Sequence, residues 1–393
     1  MAVARKIKAS LTKSSMIRKM FEEGIILKKK HGADKVYDFS LGNPNIEPPE
    51  EFKKELINIL EEIIPLKHGY TPNAGLVETR EAIADKINKV QGMKLSADNV
   101  IMSCGAAGAL NVIFKSLLDP GDEVILPVPY FVEYPFYIDN YRGIVKFVKT
   151  NEDFSLNIEA IEEAINENTK VVLINTPNNP TGKVYCEKNI ADLAELLNRR
   201  SSELFKSIYL VADEPYNEIV YDNLVAPGIL KSYKNAISAC SYSKTLSLPG
   251  ERIGYIAFNP ETDHGADLQN AFVMCTRILG YVHAPVLMQR VIARLQGVKI
   301  NVSVYQKKCD LLCDGLAKAG YEFQKPEGAF YLFVKSPIAD DVEYTKILLK
   351  KNILVVPGNS FGGPGYFRIA FCVDDATIIN SLPGFAEAIK ECR

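Results

Sequence analysis

The chain has 393 residues, 47% of them hydrophobic and 24% charged, with a formal net charge of −2. That length exceeds what one hydrophobic core usually fills, and the apolar content is too high for a disordered chain, so two domains with buried cores are expected. The near-neutral balance argues against a nucleic-acid-binding protein, which needs a concentrated basic face, and no apolar run approaches the ~18–20 residues of a membrane span.

The first 21 residues carry Arg5, Lys6, Lys8, Lys13, Arg18 and Lys19, four Ser or Thr, and no acid. This composition is similar to that of a mitochondrial transit peptide. The competing reading is an ordinary first helix capped by Ser14-Ser15 and running toward Lys30, with Met16, Met20 and Phe21 among its apolar positions. No uninterrupted apolar stretch marks a secretory signal.

Farther along, helical patterning over Glu51–Ile64, Val77–Val90 and Ala106–Leu118 alternates with strand-like runs. These lie at Val100–Ser103, Glu123–Leu126, Gly143–Val148, Lys170–Ile174, Ser207–Ala212, Asn235–Cys240 and Arg252–Phe258. The alternation predicts a doubly wound α/β domain whose mostly parallel seven-stranded sheet is flanked by helices. After about Ala284 the pattern changes to a long helix, short strands (Tyr331–Val334, Ile353–Val355, Phe367–Phe371) and a closing helix, Asp374–Lys390. These predict a smaller α+β domain that also takes in the N-terminal arm. The expected division is a large domain over 45–284 and a discontinuous small one over 1–44 plus 285–393. The eight cysteines (104, 186, 240, 275, 309, 313, 372 and 392) form no CxxC pair. Reduced thiols in a cytoplasmic protein, and no metal site, are expected.

Several strand ends carry chemistry. The segment Asn175-Thr176-Pro177-Asn178-Asn179-Pro180-Thr181-Gly182 is a dense turn after one strand; Asp213 closes another, with Tyr216 three residues on. Ser241-Tyr242-Ser243-Lys244 follows a third, with Arg252 eight positions beyond the lysine. Ligands of open α/β sheets gather at the carboxyl ends of strands, so an amide, a carboxylate and an amine would face one crevice. A lysine between small hydroxyl residues, near an arginine, suits an amine that attacks a carbonyl beside a bound anion. Ser103-Cys104-Gly105-Ala106-Ala107-Gly108 lies between a strand and a helix, where small residues leave backbone N–H groups open at the positive end of the helix dipole. Taken singly, these residues read better as a surface lysine, a turn asparagine and a half-buried core tyrosine.

Together, the Asn-Pro-Thr-Gly turn at 179–182, the Asp-x-x-Tyr strand end at 213–216, Ser-x-Ser-Lys at 241–244 with Arg252, and Arg368 within Tyr366–Phe371 resemble the class I/II aminotransferases. These are pyridoxal phosphate (PLP) enzymes of the aspartate aminotransferase fold, fold type I, and the order of motifs matches from about Leu41 to Phe371. The resemblance implies that Lys244 holds PLP and carries the substrate proton, that Asp213 keeps the ring nitrogen protonated, and that Asn179 and Tyr216 hydrogen-bond the ring's phenolic oxygen. It assigns the phosphate to Gly105, Ala106, Ala107, Ser241, Ser243 and Arg252. The family more often has hydroxyls in the first loop, so residues 105–107 would bind through backbone alone. Phe131 matches the aromatic that stacks on the ring. Tyr70 matches a tyrosine reaching across from a neighbouring subunit, which implies a homodimer with shared sites. Arg368, with Gly42 and Asn179, would take the substrate α-carboxylate.

Substrate identity is less legible. A dicarboxylate donor needs a distal cation. One branch of the family supplies a lysine at the position of Ala107, and another an arginine from the partner subunit near Ile278, beside Arg277. His283 lies close to the same segment. The resemblance thus implies an aminotransferase acting on an L-amino acid and a 2-oxo acid such as 2-oxoglutarate. A PLP lyase, of the β C–S lyase or cyclopropane-forming type, would use the same cofactor residues and stays open.

Overall fold

The computed structural model describes residues 3–12 and 16–392. Ser14-Ser15, expected to cap the first long helix, lie outside the described residues, as do the side chains of Met16 and Phe21. Short and long helices occupy Arg5–Thr12 and Met16–His31. Among the described residues no helix is long and apolar enough to cross a membrane.

The strands are β1 (Tyr37–Asp38), β2 (Val100–Ser103), β3 (Glu123–Val128), β4 (Ile144–Lys149), β5 (Thr169–Asn175), β6 (Tyr209–Asp213), β7 (Ala236–Ser241), β8 (Gly254–Phe258), β9 (Tyr331–Lys335), β10 (Ile353–Leu354), β11 (Val356–Pro357) and β12 (Tyr366–Ala370). Seven of them form one sheet in the order β2-β8-β7-β6-β5-β3-β4. Only β8 runs against its neighbours; the remaining pairs are parallel. Central strands such as Val171-Val172-Leu173-Ile174 are buried on both faces, which is why they read as continuous apolar runs instead of alternating ones. β4, at the edge, is mostly exposed and carries Lys146 and Lys149, charges that discourage pairing with another chain.

Every strand expected from the sequence is present. One run is split: the sequence pattern makes Ile353–Val355 a single strand, but β10 pairs in parallel with β1 while β11 pairs antiparallel with β12. The chain changes partner at Val355, which no local pattern announces.

Helix Gly105–Leu117 packs on β7 and β8 and buries Val112, Ile113 and Phe114, each worth roughly 1.5–3 kcal/mol against exposure. A separate core surrounds the three-stranded sheet β11-β12-β9, joining Phe39, Tyr305, Leu312, Phe330, Phe367 and Phe385. Helices Val302–Ala319 and Asp375–Lys390 pack together over it. Helix Val286–Arg294, which the sequence division puts with the small domain, packs instead on helices Glu50–Glu61 and Val77–Gln91, with Met288, Val291 and Ile292 in the core of the large sheet.

Strand direction positions the site. β2 is antiparallel to β8, which is antiparallel to β7, so β2 shares the direction of the parallel block. Ser103, Asn175, Asp213 and Ser241 therefore end their strands on one edge. The register aligns Ser103 and Ser241 on either side of Gly254, and Asn175 beside Asp213.

Candidate functional site

These strand ends open into a cavity of 550 Å³. It is lined by Gly42, Ala106, Ala107, Phe131, Asn179 and Asp213, and equally by Tyr216, Ser241, Ser243, Lys244, Arg252 and Arg368. Residues separated by more than 300 positions thus meet because β12 and the segment after β1 fold over the carboxyl ends of β5, β6 and β7.

Lys244 sits in the turn of helix directly after β7. Its Nζ donates to the Gly42 carbonyl at 2.7 Å and stands 5.4 Å from the Phe330 ring. Burial, with Arg252 and Arg368 adding to it, pulls the amine down to about 8. A lysine so placed is neutral far more often near neutral pH than an exposed one, and the neutral form is the nucleophile.

Asp213 terminates β6 and is 6% exposed. Its Oδ2 accepts a hydrogen bond from the Tyr134 hydroxyl at 2.5 Å, while Oδ1 is buried with no partner. Burial pushes this carboxyl up to about 7 despite the tyrosine bond. An orphaned carboxylate oxygen beside a cavity calls for a donor from a ligand.

Arg368, 2% exposed, crosses from β12. Nη1 donates to Asn179 Oδ1 at 3.0 Å and Nη2 to the Ser40 carbonyl at 2.6 Å, while Nε has no partner. The guanidinium stacks 4.7 Å from Tyr331 and 4.8 Å from Phe361, which fixes its plane. Asn179 is held in turn by Asn175, whose Oδ1 accepts the Asn179 N–H at 2.7 Å and whose amide donates to the Asp213 carbonyl at 2.8 Å. Tyr216 and Tyr331 share a hydroxyl contact of 2.9 Å.

An anion cradle lies at the other end. Gly105 opens helix Gly105–Leu117 with φ +74°, and a Cβ there would sit 2.7 Å from Arg252 Nη2, so the loop and the guanidinium can be this close only with glycine. Arg252 itself adopts a left-handed backbone, φ 50°, and donates to the carbonyls of Pro249 and Cys104 at 3.0 and 3.3 Å.

The residues present fit PLP: a buried amine for its aldehyde, an unpartnered carboxylate oxygen for its ring nitrogen, and a helix N-terminus with an arginine for its phosphate. Three sequence candidates, Tyr70, His283 and Arg277, stand outside this cavity. Tyr70 is 88% exposed and meets His283 edge-on at 5.7 Å, outside this cavity; Arg277 is exposed near the end of helix Gly265–Ile278. Sequence reasoning missed Asn175, Tyr134 and Tyr331. Asn175 lies within the turn segment 175–182, as the last residue of its strand; the two tyrosines carry no spacing signal.

A mostly parallel seven-stranded sheet with a buried lysine, an aspartate and an anion cradle at its strand ends is the arrangement that the resemblance to the class I/II aminotransferases implies. Comparison with known proteins agrees. Residues 34–382 match the family described as aminotransferase class I and II. A probable aspartate/prephenate aminotransferase of Aquifex aeolicus is 32% identical over 370 residues, 91% of each chain. The aspartate aminotransferase of Thermotoga maritima is 31% identical over 372 residues, 92% of each. Among solved structures, an amino transferase from Eubacterium rectale superposes with TM-score 0.96 at 40% identity, covering 100% of this chain and 99% of that one. The Thermus thermophilus aspartate aminotransferase with maleate gives 0.87 at 26% identity, covering 99% and 100%. The chain belongs to the class I and II aminotransferases, a PLP-using family.

Proposed function

We propose that the protein moves the amino group of an L-amino acid to a 2-oxo acid such as 2-oxoglutarate, as aspartate aminotransferases do, with PLP as its cofactor. The observation that carries this reading is the meeting, in one cavity, of the buried Lys244 amine, the unpartnered Asp213 Oδ1 and the Arg368 guanidinium.

When bound, PLP would supply an electron sink for charge developing at the substrate α-carbon. Each side chain then has a task. Lys244 Nζ, its acidity raised by burial, would hold the cofactor and afterwards take the α-proton and return it. Asp213 Oδ1 would accept from the protonated ring nitrogen. Tyr216 and the free amide of Asn179 would donate to the phenolic oxygen, and Phe131 would cover the ring. Gly105, Ala106 and Ala107 would hold the phosphate through backbone N–H groups, with Ser241, Ser243 and Arg252 completing the cradle. Arg368 would grip the substrate α-carboxylate beside Gly42, fixing the α-carbon for cleavage. Tyr70, exposed and outside its own cavity, would serve the phosphate of a partner subunit, making the homodimer the working unit. The cytoplasm is the proposed location. The proposed domains are 45–284 and 1–44 plus 285–393, with helix Val286–Arg294 packed on the large one.

PLP-loaded protein should lose its visible absorbance on mixing with a donor amino acid and regain it on addition of 2-oxoglutarate; Lys244→Ala should do neither. Pyruvate and ammonia from the donor, with no need for a 2-oxo acid, would overturn the transfer reading in favour of a lyase.

A further inference from the structure

Residues 213–218 form a partition between two cavities. Asp213, Pro215 and Tyr216 face the one that contains Lys244. Glu214, Asn217 and Glu218 face a second, larger cavity of 860 Å³ on the opposite side. Its floor continues onto β7 and β8 through Ser238, Cys240 and Tyr255. Along β7 the alternation of side chains sends Cys240 to this cavity and Ser241 to the first. Helix Val77–Gln91 and the segment 224–231 wall it with apolar groups, among them Ile87, Pro227 and Leu230.

The charges around this cavity are not equivalent. Lys86 pairs with Glu218, and Lys231 with Glu187 at 3.5 Å. Asp85, Lys89 and Lys299 are exposed at the rim. Glu214 is different: it is 5% exposed, and its Oε2 accepts from the Ser238 hydroxyl at 2.5 Å. Among the described residues Oε1 has no hydrogen bond and the carboxylate no ion pair. The adjacent thiol of Cys240 is itself occupied, donating to the Glu214 carbonyl at 3.5 Å. A carboxylate that is 5% exposed, with one oxygen held by Ser238 and the other unpartnered at the cavity surface, offers an acceptor to a ligand's head group.

We propose that this cavity is a second binding site, for a small organic cation with an apolar tail, whose head group pairs with Glu214 and whose tail packs against Ile87, Pro227 and Leu230. The buried position of the carboxyl sets the head group's depth, and the paired lysines Lys86 and Lys231 are already engaged with carboxylates of their own. The volume exceeds that of the Lys244 cavity, so a head group with a short alkyl or aryl tail is accommodated.

The test is calorimetric titration of the PLP-loaded full chain at about pH 8, where Glu214, pushed up to about 7 by burial, is ionised. The probe is n-butylguanidinium, a cation without the nucleophilic amine that would react in the other cavity. Saturable binding of one probe per chain is expected, weakened at least tenfold by Glu214→Gln. Ala82→Phe, which keeps the carboxyl and fills the space from helix Val77–Gln91, should weaken it as well. Lys244→Ala should leave the affinity unchanged, so the result is independent of whether the protein transfers amino groups. No saturable binding, unaltered binding in both cavity variants, or loss of binding in Lys244→Ala would each overturn the proposal.

Discussion

Replacing Asp213 with Asn should inactivate the enzyme yet stabilise its cofactor-free form, and the gain should depend on pH in a defined direction. The carboxyl moves from 3.8 in an open chain to about 7 in the fold, because burial outweighs the Tyr134 hydrogen bond. Each tenfold change in acidity is worth about 1.4 kcal/mol, so holding Asp213 ionised in the empty site costs roughly 4 kcal/mol. Between these two values the folded protein binds more protons than the unfolded chain. The stability that protonated Asp213 contributes is therefore complete below pH about 4 and gone once pH passes about 7. An asparagine side chain in its place would be neutral throughout. The advantage of Asp213→Asn should be small near pH 4 and grow to roughly 4 kcal/mol above pH 7, minus whatever the Tyr134 hydroxyl loses when its partner becomes an amide. Urea unfolding of the two cofactor-free proteins from pH about 5 to about 8 measures this. Glu214, raised to about 7 chiefly by burial and further by the Asp213 charge, acts with the same sign in both proteins, and the part due to Asp213 is relieved in the variant and adds to its advantage. PLP should then stabilise the wild type at pH 8 more than the variant, since the ring nitrogen gives Oδ1 its missing donor. Parallel stability profiles for the two proteins would refute the reasoning.

Arg368→Lys keeps the charge but loses the fork, so one of two charge-assisted bonds to the α-carboxylate goes; at about 1.5–3 kcal/mol per bond, KM for the donor should rise by roughly 10–100-fold, read from steady-state kinetics. Gly105→Ala places a Cβ 2.7 Å from Arg252 Nη2 on a backbone with φ +74°. It should weaken PLP retention, seen as faster loss of the cofactor on dialysis, while the folded core is unaltered by circular dichroism.

Much of the site was legible because its residues close strands. Asp213 and Lys244 follow apolar runs that only a buried parallel strand explains, and the rule that such sheets bind ligands at their carboxyl ends joins them from the sequence alone. Asn175 belongs to the same logic, but the turn beyond it carries the stronger signal. Tyr134 and Tyr331 were invisible for a different reason. Tyr134 acts through Asp213, 79 residues away, and Tyr331 through Tyr216, 115 residues away; nothing in either neighbourhood marks the partner.

By itself the sequence determined the alternation of strand and helix, the seven-stranded sheet and the order of the motifs, since periodicity and turn chemistry are local properties of the chain. Only the tertiary structure decided which carboxylate oxygen stays unpartnered, where the chain changes sheets at Val355, that helix Val286–Arg294 joins the large core, and that Glu214 faces a second cavity with its back to Asp213. Those outcomes depend on packing between segments far apart in the chain, and so on desolvation and close approach that no local pattern encodes.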